Sequence, residues 1–141
     1  MQQLVPHPLW VGHLGEGRNL QKLFDVGIQA LVEVAAEEAP SRPPRELIYC
    51  RFPLLDGADN DRKVLYLATS TVANLLERGV PTLVCCGSGL SLSPALAAAA
   101  LALVYQEQPE ECLKRVAQQH RTDVSPGLWK QLVDLVDSIR M

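Results

Sequence analysis

Two kinds of apolar spacing alternate along the chain. Short unbroken apolar runs, bounded by Gly, Pro or charged residues, predict buried strands at residues 9–12, 28–34, 47–52 and 83–85. Between them, apolar residues recur three and four positions apart, which predicts helices. Leu20, Leu23 and Phe24 do so within residues 19–26, and Gly27 stops that helix. A helix beginning near Arg62, capped by Asp61, carries the stripe Leu65, Ala68, Val72, Leu75 and Leu76 and ends at Arg78-Gly79. Residues 109–120 turn Leu113, Val116 and Ala117 inward, and residues 127–139 do the same with Leu128, Leu132, Leu135 and Ile139. Gly15 and Gly17 loosen the stretch after the first strand, and Pro40, Pro43 and Pro44 keep 37–45 irregular. Strands alternating with helices predict an α/β fold over residues 1–141: a single domain, with a mainly parallel central sheet and helices on both faces.

One junction differs from the others. The run ending at Cys85-Cys86 passes through the small residues Gly87-Ser88-Gly89-Leu90-Ser91 into an alanine-rich helix former near Pro94. Ser93 is the expected N-cap. A strand, tight loop and helix N-terminus in succession aim free backbone N–H groups and a positive dipole end into one concavity, which suits an anion. Cys86 stands at the lip of that concavity, where a thiol is biased toward its nucleophilic thiolate.

Charge and composition narrow the classes. The net charge of −3 comes without any Lys/Arg cluster, so no nucleic-acid partner is expected. The alanine-rich stretch is too short to span a bilayer, and residues 1–6 lack the charged and apolar regions of a signal peptide. No membrane association is expected. Cys50, Cys85, Cys86 and Cys112 show no CxxC spacing, and His7, His13 and His120 are scattered singly. Neither a disulfide framework nor a metal site is expected, no cofactor is implied, and a reduced cytoplasmic setting follows. Gly87-x-Gly89 lacks the third glycine of a dinucleotide fingerprint, no GxxxxGK[ST] is present, and the glycines around Ser88 sit at the wrong offsets for GxSxG. A rhodanese-like sulfurtransferase also places a Cys on an anion loop, but its flanking elements fit less well.

The loop resembles that of the cysteine-based protein tyrosine phosphatases, above all the dual-specificity branch, whose pattern is His-Cys-x5-Arg-Ser/Thr. Cys86 matches the nucleophile, Gly89 the loop glycine and Ser93 the closing hydroxyl. Cys85 replaces the family's His, and Leu92 replaces its Arg. The resemblance continues through Leu9-Trp10-Val11-Gly12, Val26-Gly27-Ile28 with Val32-Glu33-Val34, Phe52-Pro53-Leu54-Leu55-Asp56, and Arg121 with Pro126-Gly127-Leu128-Trp129-Lys130-Gln131-Leu132. It implies phosphomonoester hydrolysis: Cys86 attacks phosphorus, Asp56 protonates the leaving oxygen, and Ser93 eases thiolate departure. Residues Gly87, Ser88, Gly89, Leu90, Ser91 and Leu92 would line the phosphate. The ligand would be a phosphorylated protein or a small phosphomonoester.

Leucine cannot grip phosphate oxygens as a guanidinium does, so the resemblance also implies weak or lost activity. The alternative is a pseudophosphatase that binds a phosphorylated or acidic protein partner. Arg51, Arg62, Lys63 and Arg121 are the cations available to replace the missing one. Asp56 could equally close a turn with Gly57, and Asp59 is its nearby alternative. Cys85 could pair with Cys86 in a vicinal disulfide or simply be a buried strand residue.

Overall fold

A computed structural model describes residues 1–140. The sheet has five strands: β1 (Gln2–Gln3), β2 (Leu9–His13), β3 (Ala30–Glu33), β4 (Ile48–Arg51) and β5 (Thr82–Cys86). Their order is β1-β2-β5-β3-β4, parallel throughout except for β1 against β2. The alternation of strands and helices therefore yields the expected α/β fold. The strand carrying both cysteines lies at the centre, between β2 and β3.

Strand residues alternate between the two faces. One face carries Trp10, Leu31, Tyr49, Leu83 and Cys85, covered by α1 (Leu14–Gly17) and α2 (Leu20–Val26). The other carries Leu9, Val11, Val32, Val84 and Cys86. It is covered by α3 (Arg62–Glu77), α4 (Leu92–Tyr105), α5 (Pro109–Gln119) and α6 (Pro126–Arg140). Every residue of α4 from Leu92 to Ala102 is buried. Its alanines let the β-sheet and α3, α5 and α6 approach from all sides, as a helix apolar all round requires.

Several sequence expectations shift. The segment loosened by Gly15 and Gly17 forms α1, closed by a capping box between His13 and Glu16. Gly17 is there for space: a Cβ on it would lie 2.8 Å from the Cys85 sulfur. On α2 only Leu23 is buried, while Leu20 and Phe24 face solvent, because the short helix covers the sheet along one line. On α5 the buried line is Pro109, Cys112 and Val116, and Ala117 is exposed. On α6 Val136 is buried and Ile139 is exposed.

Candidate functional site

Strand β5 ends on Cys86, and α4 begins at Leu92, with residues 87–91 between them. Ser91, not Ser93, holds the N-cap position, and its carbonyl accepts from Ala95 N–H at 3.0 Å. Ser93 lies inside the first turn, fully buried, and serves the thiol instead. Its backbone N–H donates to Cys86 Sγ at 3.4 Å. Its hydroxyl lies 3.3 Å from the same sulfur and donates to the Gly12 carbonyl at 3.3 Å. Cys86 is therefore buried rather than at an exposed lip, and it lies against the N-terminus of a 14-residue helix. A thiolate there would meet an N–H, a hydroxyl and the positive dipole end.

The loop keeps several backbone donors unused, with Ser88 exposed and Gly89 and Ser91 buried. Among the described residues, the N–H groups of Gly87, Ser88, Gly89 and Ser91 donate to no protein acceptor. That of Leu90 is taken by Ser88 Oγ at 3.2 Å. Gly89 has φ +75°, and a Cβ on it would lie 2.8 Å from Gly12 C and His13 N. Only glycine allows this turn to sit against the end of β2.

Three segments close round the loop. From the turn after β4, Asp56 Oδ1 accepts from Ser91 Oγ at 2.6 Å. Asp59 is exposed and makes no contact with the loop, so of the two carboxylates only Asp56 reaches it. The side chain of Asn60 closes the Asp56 turn on Leu55 and Gly57, and Gln131 of α6 holds Asn60. From the connection after α5, His120 Nε2 lies 2.8 Å from the Gly89 carbonyl, Asp123 N–H donates to the Leu90 carbonyl at 2.7 Å, and Ser125 N–H donates to Ser91 Oγ at 3.0 Å. From the turn after β3, Glu37 and Glu38 approach Gly87: a Cβ there would lie 3.3 Å and 3.4 Å from their Oε1 atoms.

Leu92 packs into the core behind the loop. None of the four suggested cations hydrogen-bonds residues 86–93 among the described residues. Arg51 donates to the Ala36 and Glu38 carbonyls, so it anchors the acidic turn by its backbone. Arg62 reaches Ser138, and Lys63 lines an apolar groove between α3 and α6. Arg121 is exposed, between the two contacts of His120 and Asp123. His120, Glu37 and Glu38 are the residues that sequence reading missed, because no spacing in the chain links them to the loop.

Cys85 faces the other side of the sheet. Burial, then the nearby Glu33 carboxylate, then Cys86, push its thiol far above the usual range. Because the two cysteines sit on opposite faces of one strand, a vicinal disulfide would require the strand to break. Cys85 is thus the buried strand residue. Glu33 is itself buried at the end of β3 and accepts from Ser41 and from the Tyr49 hydroxyl. Among the described residues no cluster of three or more His, Cys, Asp or Glu could hold a metal ion, and no helix is long and apolar enough to cross a membrane.

No family model matches the sequence, and no curated relative does. Solved structures do. Human DUSP28 superposes with a TM-score of 0.86 at 20% identity, covering 99% of this chain and 98% of its own. The human tyrosine phosphatase-like serine/threonine/tyrosine-interacting protein gives 0.83 at 18%, covering 100% and 98%. PTPMT1 in complex with PI(5)P gives 0.71 at 16%, covering 93% and 89%. The chain has the fold of the dual-specificity phosphatases.

Proposed function

We propose that this chain is a phosphatase-like protein of the dual-specificity type, whose Cys86 loop receives the phosphoryl group of a phosphorylated protein or small phosphomonoester. The observation that carries the reading is the set of free N–H groups at Gly87, Ser88, Gly89 and Ser91, in the loop that links Cys86 to the Ser93 that contacts its sulfur twice. In the reaction, the Cys86 sulfur bonds to phosphorus as the bond to the leaving oxygen breaks. Asp56 gives that oxygen its proton. Water then attacks phosphorus, Asp56 taking its proton, the S–P bond breaks to free phosphate, and the Ser93 hydroxyl turns from Gly12 to the departing thiolate.

Turnover is slow in this reading. No guanidinium grips the transferring group, and loss of a charged transition-state donor costs about 3–4 kcal/mol, or two to three orders of magnitude in rate. A second reading, a binding module without turnover, is favoured by Leu92, which packs into the core and leaves the loop without a charged donor; Glu37 and Glu38 at Gly87 weaken phosphate binding and transfer alike. Aryl phosphate hydrolysis by wild type, Cys86→Ser and Leu92→Arg separates the two. Slow hydrolysis lost in Cys86→Ser supports the enzyme. Phosphate binding with no Cys86-dependent hydrolysis supports the binding module. Fast wild-type turnover would mean that another cation serves the site.

A further inference from the structure

We propose that His120, when protonated, supplies the positive charge that Leu92 does not, so that anion binding at the Cys86 loop is linked to proton uptake by this histidine. The inference rests on the anion-loop reading above. His120 is the one side chain able to carry positive charge that hydrogen-bonds the 86–93 segment among the described residues. A carbonyl oxygen only accepts, so the Nε2 bonded to Gly89 carries a hydrogen, and Nδ1 is the nitrogen that takes up the second proton.

The contact also fixes which way the loop peptides point. His120 holds the Gly89 carbonyl at 2.8 Å, and Asp123 N–H holds the Leu90 carbonyl at 2.7 Å. In a planar trans peptide the following N–H points the opposite way. The N–H of Ser91 is therefore turned away from the Asp123 side, and it has no protein acceptor. Two carbonyl dipoles that would repel an anion are satisfied by the 120–123 segment. An imidazolium at the first of them adds a full charge beside the loop.

The charged neighbours are mixed. Arg121 follows His120 directly, and Arg115 on the same helix is paired with Glu107. Both oppose a further positive charge. Asp56 at Ser91, Asp123 at Leu90, and Glu37 and Glu38 at Gly87 favour it. Cys86, lying below the loop, favours it once ionised.

Sulfate is the probe, because it stays a dianion across the range in which a histidine titrates, whereas phosphate does not. Amide spectra of wild type and His120→Gln are titrated with sulfate at pH 5.5 and pH 7.5. Glutamine keeps a donor for the Gly89 carbonyl but cannot take a proton. Wild type should bind about five- to tenfold more tightly at the lower pH, and His120→Gln equally at both. A wild type with no pH dependence, or a His120→Gln protein that keeps the wild-type dependence, overturns the proposal. If no amide from Gly87 to Ser93 responds to sulfate at either pH, the anion-loop reading itself falls.

Discussion

Cys85 and Cys86 are neighbours in the chain and belong to different halves of the molecule. Cys85 lies under α1 among Leu31, Leu83 and the Glu33 carboxylate, where burial and negative charge both hold the thiol protonated. Cys86 lies under the N-terminus of α4, where an N–H and a hydroxyl reach its sulfur. Both are almost wholly removed from solvent, so exposure does not distinguish them. What differs is the polarity of the group each sulfur faces. A period of two along β5 is enough to place a strand residue and a candidate nucleophile side by side.

A glycine stands against each half, and replacing the two should produce unequal losses. Gly89→Ala must strain a positive φ and push a Cβ into the backbone of Gly12 and His13, neither of which can yield cheaply. We expect a loss of about 3 kcal/mol or more in urea unfolding, with the Cys86 loop displaced. Gly17→Ala meets the Cys85 sulfur at 2.8 Å and a Leu31 methyl at 3.2 Å, both side-chain atoms. It should cost about 1–3 kcal/mol and leave the loop amide spectrum unchanged. Equal losses would mean that the Cys86 loop is not built on its close approach to β2.

Alkali should act through the Cys85 half. A thiol whose folded-state pKa is raised stays protonated in the native state while the unfolded chain loses its proton. Its contribution is intact below about pH 9 and falls as pH rises further. Stability should drop by up to about 1.4 kcal/mol per pH unit from this group, and Cys85→Ala should remove that part of the slope. Tyr49, pushed up to about 12 by burial and by its bond to Glu33, adds a loss of the same sign between about pH 10 and 12. Chemical denaturation at pH 8, 9, 10 and 11 for the two proteins checks both.

Alkylation should then separate the sulfurs directly. At pH 8 a small iodoacetamide is expected to modify Cys86 at least about tenfold faster than Cys85, as read by peptide mass spectrometry. Modification of Cys85 at the faster rate would reverse the assignment of roles.

The smallest effect concerns the acidic turn. Glu37→Gln with Glu38→Gln removes two carboxylates from the Gly87 side, and phosphate should bind a few-fold to about tenfold more tightly. Glu46→Gln with Glu77→Gln changes the net charge equally from exposed positions away from the loop and should leave affinity unaltered.

Much of the fold was legible because its signals are local. Apolar runs, glycine stops, three-to-four-residue periodicity and, for α4, alanine content marked the four parallel strands and all the longer helices. The misjudged details have identifiable causes. The α1 turn is stabilised by a His13–Glu16 capping box that its two glycines obscure. The inward face of α5 is rotated by about one residue, and on α6 Leu128, Leu132 and Leu135 turn inward as expected while Val136 replaces Ile139, because which residue turns inward is set by the neighbouring helices. The two-residue β1 carries no pattern of its own and exists by pairing with β2.

By itself the sequence determined the α/β alternation, the strand–loop–helix around Cys86, and the apolar residue at position 92. These depend on residue type and short-range order. The tertiary structure decided which side chains meet the loop. Asp56 comes to Ser91 across 35 positions, His120 to Gly89 across 31, and Glu37 and Glu38 converge on Gly87 from another strand end. No periodicity encodes such meetings, because they follow from the order of strands in the sheet and the packing of α5 and α6. The same is true of Ser93. Its type suits an N-cap, but the register of α4 against β5 places it two residues past the cap, inside the first turn, where it serves a thiol.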